Sequence, residues 1–214
     1  MQSIGQSFAW PFRGRKAAVW PLGIASVLLL PLLFVPLLGY AIAATRAAEE
    51  GEDAPPPWRV SRRLIRDGFW TSLAILLTAV PFALLVSPIA ALLTAAHIDG
   101  AAAAQQYAWV AAALIAALPW GLFVLLVMPH ATAAFASSGS VRNLFDAGGS
   151  VRAVRRDFST WNLAVAAIVT GWAMGLACSS LLCVGAVPGV FYAILVSAHA
   201  TAALRPPGAH PPAR

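Results

Sequence analysis

Two stretches of this chain, about Gly68 to Ala96 and about Tyr107 to Ala136, contain no Asp, Glu, Lys or Arg. A helix needs about 20 consecutive apolar residues to cross the hydrocarbon core of a bilayer, so each stretch is long enough to span, with tilt or a proline kink. Two more apolar regions, about Ala17 to Ala44 and about Trp161 to Leu204, flank them. Only 10% of the 214 residues are charged and 60% are hydrophobic. A soluble domain carries roughly 25% charged residues, so a fold built in water could not cover itself with these side chains. The runs are continuous rather than alternating, which argues against a β-barrel. Helices remain, because they satisfy every backbone N–H and C=O internally. The expected fold is all-α: a polytopic helical membrane protein.

The charged residues lie between the runs. Net charge is +6, and the arginines sit at the flanks of apolar runs. This pattern points to lipid headgroups and orientation rather than to nucleic acid. Four segments carry nearly all the Lys and Arg: residues 1–16, 45–67, 137–160 and 205–214. The positive-inside rule places all four on the cytoplasmic face of the cell (inner) membrane, with both termini cytoplasmic. An even number of crossings then separates each basic segment from the next. Residues 68–136 supply two crossings and residues 161–204 two more, with Val187-Pro188-Gly189 as the expected turn. Residues 17–44, broken by Pro21, Pro31 and Pro36, are expected to form a re-entrant or short helical hairpin. The rival is a single kinked span, which would put residues 1–16 on the opposite face. One transmembrane domain over residues 1–204 follows, in hairpin units of about 17–44, 68–136 and 161–204, with a disordered tail at 205–214.

The basic segments have helical character of their own. Val60, Leu64 and Ile65 fall near one face while Arg59, Arg62, Arg63 and Arg66 fall largely on others. Val141, Leu144, Phe145, Val151, Val154 and Phe158 recur at helical spacing around a Gly148-Gly149 break. Both read as amphipathic helices lying in the interface, with Arg62, Arg63, Arg66, Arg152, Arg155 and Arg156 toward lipid headgroups. An ordinary basic juxtamembrane loop is the plainer reading of the first. Trp10, Trp20, Trp58, Trp70 and Trp161 flank the runs as interfacial anchors. The N-terminal run, closing on Tyr40-Ala-Ile-Ala-Ala44, resembles a signal peptide but is too long for one and is expected to be retained.

The chain echoes itself. Pro129-His-Ala-Thr-Ala-Ala-Phe135 and Ala198-His-Ala-Thr-Ala-Ala-Leu204 share five consecutive residues, and Arg66-Asp67 with Leu73-Ala74 recurs as Arg156-Asp157 with Leu163-Ala164. Parallel repeats of a hairpin unit would produce this, as would coincidence in an alanine-rich chain.

Candidate chemistry is sparse. No carboxylate lies deep in an apolar run, which lowers proton-coupled transport. No phosphate loop, zinc motif or nucleophile elbow is present. Cys178 and Cys183 fall on different helix faces, so neither a disulfide nor a metal site is expected. Ser179 and Ser180 have no base nearby in sequence and read as packing residues. His130 and His199 are the only candidate cofactor ligands. Paired imidazoles can hold haem, but a packing or interfacial histidine is the plainer reading, and no cofactor or metal is expected. Gly171-Trp-Ala-Met-Gly175, extended by Ala173 and Ala177, is a small-xxx-small pattern that lets helices approach closely.

Short motifs add a resemblance covering about Phe8 to Leu204. They are Trp10-Pro-Phe12, Leu38-Gly-Tyr40, Thr45-Arg46, Gly51-Glu-Asp53, Pro57-Trp58, Arg66-Asp-Gly68 and Met128-Pro129. In this order they resemble the multi-pass prokaryotic membrane proteins grouped as domain of unknown function 4013. The resemblance implies a membrane protein of unassigned role and supplies no catalytic residues. That family usually carries an aromatic near the position of His130, so it lends no histidine chemistry. The first expectation is a non-enzymatic scaffold or accessory subunit, associating with lipids and with itself or another membrane protein. The alternative is a channel or carrier for a small or apolar solute. An intramembrane enzyme or cofactor protein rests on the two histidines alone.

Overall fold

A computed structural model describes residues 4–13, 19–95, 100–180 and 185–205. Among them the chain is helical and has no strand. The helices are α1 (Ile4–Ala9), α2 (Val19–Leu28), α3 (Leu30–Glu49), α4 (Arg62–Ala95), α5 (Gly100–Ser138), α6 (Ala147–Arg156), α7 (Phe158–Ser180) and α8 (Ala186–Ala202), with a 3₁₀ turn at Trp10–Phe12 and another at Val141–Leu144. Four of them, α3, α4, α5 and α7, are long and apolar enough to cross a membrane.

The N-terminal region resolves the choice between a hairpin and a kinked span. The rings of Trp20 on α2 and Tyr40 on α3 both pack on Phe191, at centroid distances of 5.6 and 6.1 Å. In one continuous helix those residues would stand about 30 Å apart. The chain therefore doubles back near Leu29, where Pro31 withholds an N–H from the helical ladder. α2 has only 10 residues, too few to span, while α3 has 20, so the pair is a helical hairpin with one short and one long arm.

Three boundaries differ from the sequence reading. α3 does not stop at residue 44; it continues through the buried Thr45 and half-buried Arg46 to Glu49 and becomes one of the four long helices. Residues 59–67 form no separate interfacial helix. Ser61 Oγ accepts the Leu64 N–H at 3.1 Å, which caps α4, so Arg62 to Asp67 are the first turns of a spanning helix. Val187-Pro188-Gly189 is not a turn but the start of α8, where proline loses no helical hydrogen bond. α8 has 17 residues, shorter than a full span. The second amphipathic segment is the separate helix α6. Gly148 and Gly149 lie in its first turn rather than breaking it, and Asp146 caps it by accepting the Gly149 N–H at 2.7 Å.

Glycines set the closest helix contacts. A Cβ on Gly68 would collide with the Val35 carbonyl and one on Gly39 with the Leu64 carbonyl, so α3 and α4 touch backbone to backbone. Gly175 and Gly189 do the same for α7 and α8. Among the described residues the α4/α5 pair shows no such contact: Gly121 has nothing within 4 Å. A hydrogen bond from Trp120 Nε1 to the Thr78 carbonyl, 2.7 Å, links the two helices.

Candidate functional site

The described parts of all four arginine-bearing segments meet at one end of the bundle. Trp10 Nε1 donates to the Glu52 carbonyl at 2.9 Å. Arg46 Nε donates to the Ala136 carbonyl at 2.9 Å, and Arg205 Nη1 reaches the Glu49 carbonyl at 3.4 Å. The ends of α1, α3, α5 and α8 and the starts of α4 and α7 thus converge here.

Asp67 anchors this end. Its side chain is 2% exposed and pairs with Arg46 at 3.1 Å, Arg66 at 3.0 Å and Arg63 at 3.8 Å. A buried carboxylate without partners would cost several kcal/mol, so these contacts are needed as a set. Arg46 belongs to α3, Asp67 to α4 and the Ala136 carbonyl to α5, so the network ties three helices together. Gly39 and Gly68 make room for it by bringing α3 and α4 into contact.

The two histidines have different neighbours. The His199 Nδ1 lies 3.0 Å from Ser7 Oγ, and its ring packs on Trp10 at 5.1 Å. It fastens the N-terminal segment to α8. His130 is 8% exposed, and its Nε2 has no hydrogen-bond partner in the protein. It lines a cavity of about 540 Å³ together with Asn143, Ser150, Arg156, Asp157, Thr160 and Arg205, among others. Asp157 lies between α6 and α7 and caps α7, accepting from the Thr160 N–H at 3.1 Å and from Ser159 Oγ at 3.2 Å. Hydrogen bonds from the Thr160 side chain and backbone, with that from Ser159, hold its carboxyl below the usual carboxylate range. Its cavity partner Arg156 is exposed and forms no ion pair among the described residues.

The structure does not group the other sequence candidates into this site. Gly171 faces Val196 and Gly175 faces Gly189, both across the α7/α8 contact. Ala173 and Ala177 are exposed, because positions two residues from the glycines point to the other side of the helix. Arg62, Arg63 and Arg66 border a surface recess with Ser138 and Gly139. Arg152 and Arg155 are exposed on α6. Cys178 is a free, exposed thiol, and Cys183 lies outside the described residues. No group of three or more His, Cys, Asp or Glu side chains suited to a metal occurs among the described residues.

The features that hold this end together coincide with the short motifs of the sequence. Tyr40 stacks on Trp58 at 4.1 Å and donates to the Pro56 carbonyl at 2.9 Å, while Arg46, Asp67 and Gly68 form the charged and glycine contacts. A family model described as a protein of unknown function, DUF4013, matches residues 23–197. The chain belongs to this family. No curated protein and no solved structure matches it. In this DUF4013 member, sequence reasoning missed the partnership of Arg46 with Asp67 and the cavity residues Asn143, Asp157, Thr160 and Arg205. The repeated Arg-Asp pair was the available signal. Its two copies do different work: Asp67 is buried inside a helix and Asp157 caps one.

Proposed function

We propose that this DUF4013 protein is a non-enzymatic scaffold or accessory subunit of a membrane complex, with the α4/α5 pair as its docking arm. The supporting observation is how little of α5 its own chain covers. Of the apolar window, 13% is buried in α5 and 28% in α4, against 39% in α3 and 28% in α7. Leu76, Leu84, Leu118 and Leu122 are all more than half exposed. The two helices have 34 and 39 residues, or about 50 and 58 Å at 1.5 Å per residue, well beyond a hydrocarbon core of about 30 Å. Such an arm offers a second membrane protein a long apolar surface, where packing rather than hydrophobic burial drives association. Photo-crosslinking residues placed at Leu118 and Leu122 in native membranes should give one discrete protein adduct that co-purifies stoichiometrically with the chain. The same probe at Leu163 on α7 should not. Lipid adducts alone from both helices would overturn the reading, and an adduct between copies would make the partner a second copy.

The arginine-rich end is proposed to face the cytoplasm of the cell membrane, on the charge asymmetry. Impermeant thiol reagents added outside intact cells should miss Asn143→Cys and reach Ala102→Cys. The opposite labelling would invert the orientation.

A second reading, a channel or carrier for a small or apolar solute, draws on the cavity at this end and on Pro36, Pro119 and Pro129 inside the long helices. Solute flux into proteoliposomes above that of empty vesicles would favour it over the scaffold.

A further inference from the structure

The cavity beside His130 has the lining of a binding site rather than of a packing fault. Its volume, about 540 Å³, lies in the range of about 300 to 1,000 Å³ common for small-ligand pockets. Its wall carries charges of both signs: Arg156 and Arg205 against Asp146 and Asp157. A simple phosphate would meet two carboxylates, and a simple cation would meet two guanidinium groups. An occupant that satisfies both must itself carry both signs.

The carboxylates are oriented from within the fold. Asp146 accepts from Gly149 at the start of α6, and Asp157 accepts from Ser159 and Thr160 at the start of α7. Each keeps acceptor capacity beyond those bonds, since an ionised carboxylate offers about four lone-pair sites. His130 supplies the independent observation. The ring is part of the cavity wall, beside Leu204 and Asp157, and over nine-tenths buried, yet its Nε2 completes no hydrogen bond within the protein. Buried polar nitrogens are rarely left so, because the lost hydrogen bond to water is not replaced. The cavity also lies where α5, α7 and α8 reach the arginine-rich end, the level at which lipid headgroups meet a spanning protein.

We propose that this cavity binds an aminoethyl phosphodiester, with its phosphate toward Arg156 and Arg205 and its ammonium toward Asp157 and His130. The ammonium donates and the histidine nitrogen accepts, which gives Nε2 the partner it lacks. Arg156 and Arg205 bind the phosphate by charge-assisted hydrogen bonds. A trimethylated headgroup has no N–H to donate and a glycerol headgroup has no cation, so both should bind less well. This site is independent of the docking role proposed for α4 and α5.

The full chain, reconstituted in nanodiscs made separately from phosphatidylethanolamine, phosphatidylcholine and phosphatidylglycerol and then released for native mass spectrometry, tests the assignment. The expected result is one phosphatidylethanolamine retained per chain, at least tenfold over either other lipid. Arg156→Gln, which alters an exposed side chain and should leave the fold intact, should abolish that preference, and His130→Phe should weaken it. Saturable binding of glycerophosphoethanolamine by the detergent-purified chain, without retained diacyl lipid, would assign the site to a water-soluble aminoethyl phosphodiester. Equal retention of all three lipids with no binding of the soluble compound would overturn the proposal. So would a preference unchanged by Arg156→Gln.

Discussion

Two helical pairs, α4/α5 and α7/α8, both end at the arginine-rich face on the same pentapeptide, His-Ala-Thr-Ala-Ala, yet they are held by different means. The α7/α8 pair is closed by glycines, with Gly175 meeting Gly189 backbone to backbone and Gly171 meeting the Val196 side chain. The α4/α5 pair is held at its root, where Asp67 pairs with Arg46 and Arg46 reaches the Ala136 carbonyl. Beyond that root α5 keeps an apolar surface that its own chain leaves mostly uncovered. Van der Waals packing requires close approach over many atoms, and in lipid no hydrophobic force replaces it. A charged root needs only a few buried groups, so it can hold a long arm without covering it. The histidines follow the same division: His199 is bonded into the closed pair, and His130 stands over a cavity.

The largest effect is expected at the charged root. Asp67→Ala leaves Arg46 without its carboxylate and should cost about 3 to 5 kcal/mol, seen as a lower melting temperature in detergent. Amide exchange should accelerate in α5 between residues 128 and 138 more than in α8. Equal acceleration in both would mean that the two pairs are not held separately.

Next in size is the glycine contact. Gly175→Leu drives a side chain into Gly189 and should cost about 3 kcal/mol or more. Gly121→Leu, placed in open space, should stay within about 0.5 kcal/mol of the parent. Similar losses for both would show that α5 has a packing partner the chain itself does not supply.

The histidines give a smaller contrast. His199→Ala strips Ser7 of its partner and Trp10 of a packed ring, and should cost about 1 to 3 kcal/mol. His130→Ala should cost less, since its Nε2 has no bond within the protein to lose. Limited proteolysis near residues 4–13 should increase in the first variant and not in the second. The smallest effect is expected for Trp120→Phe, which removes the hydrogen bond to Thr78 and should cost about 1 kcal/mol. Faster amide exchange confined to the middle of α4 and α5 would report it.

Much of this arrangement was legible in the residues. Uncharged runs longer than a bilayer is thick demanded spanning helices, and the four basic segments marked parts of the chain that meet at one end. The three prolines in residues 17–44 pointed to a doubled-back segment, which Trp20 and Tyr40 reveal by sharing Phe191. Periodicity misplaced the start of α4, because the side chains of residues 59–67 suit an interfacial helix as well as the first turns of a spanning one. The difference lay in Ser61, which caps the helix. The Val187-Pro188-Gly189 segment misled for a similar reason: proline and glycine mark a turn in a loop, but proline is equally at home in the first turn of a helix.

Sequence by itself determined that the chain is helical, that it suits a bilayer and that its arginines gather toward one end. Those properties depend on side-chain polarity and on the length of helix needed to cross hydrocarbon, both of which are local. Only the tertiary structure decided which glycines meet, which aspartate is buried and which histidine lacks a partner. His130 and His199 sit in the same five residues, so nothing local separates them. Ser7 and Trp10 reach one of them, while α6, α7 and the end of α8 enclose a cavity beside the other, and those neighbours come from distant parts of the chain.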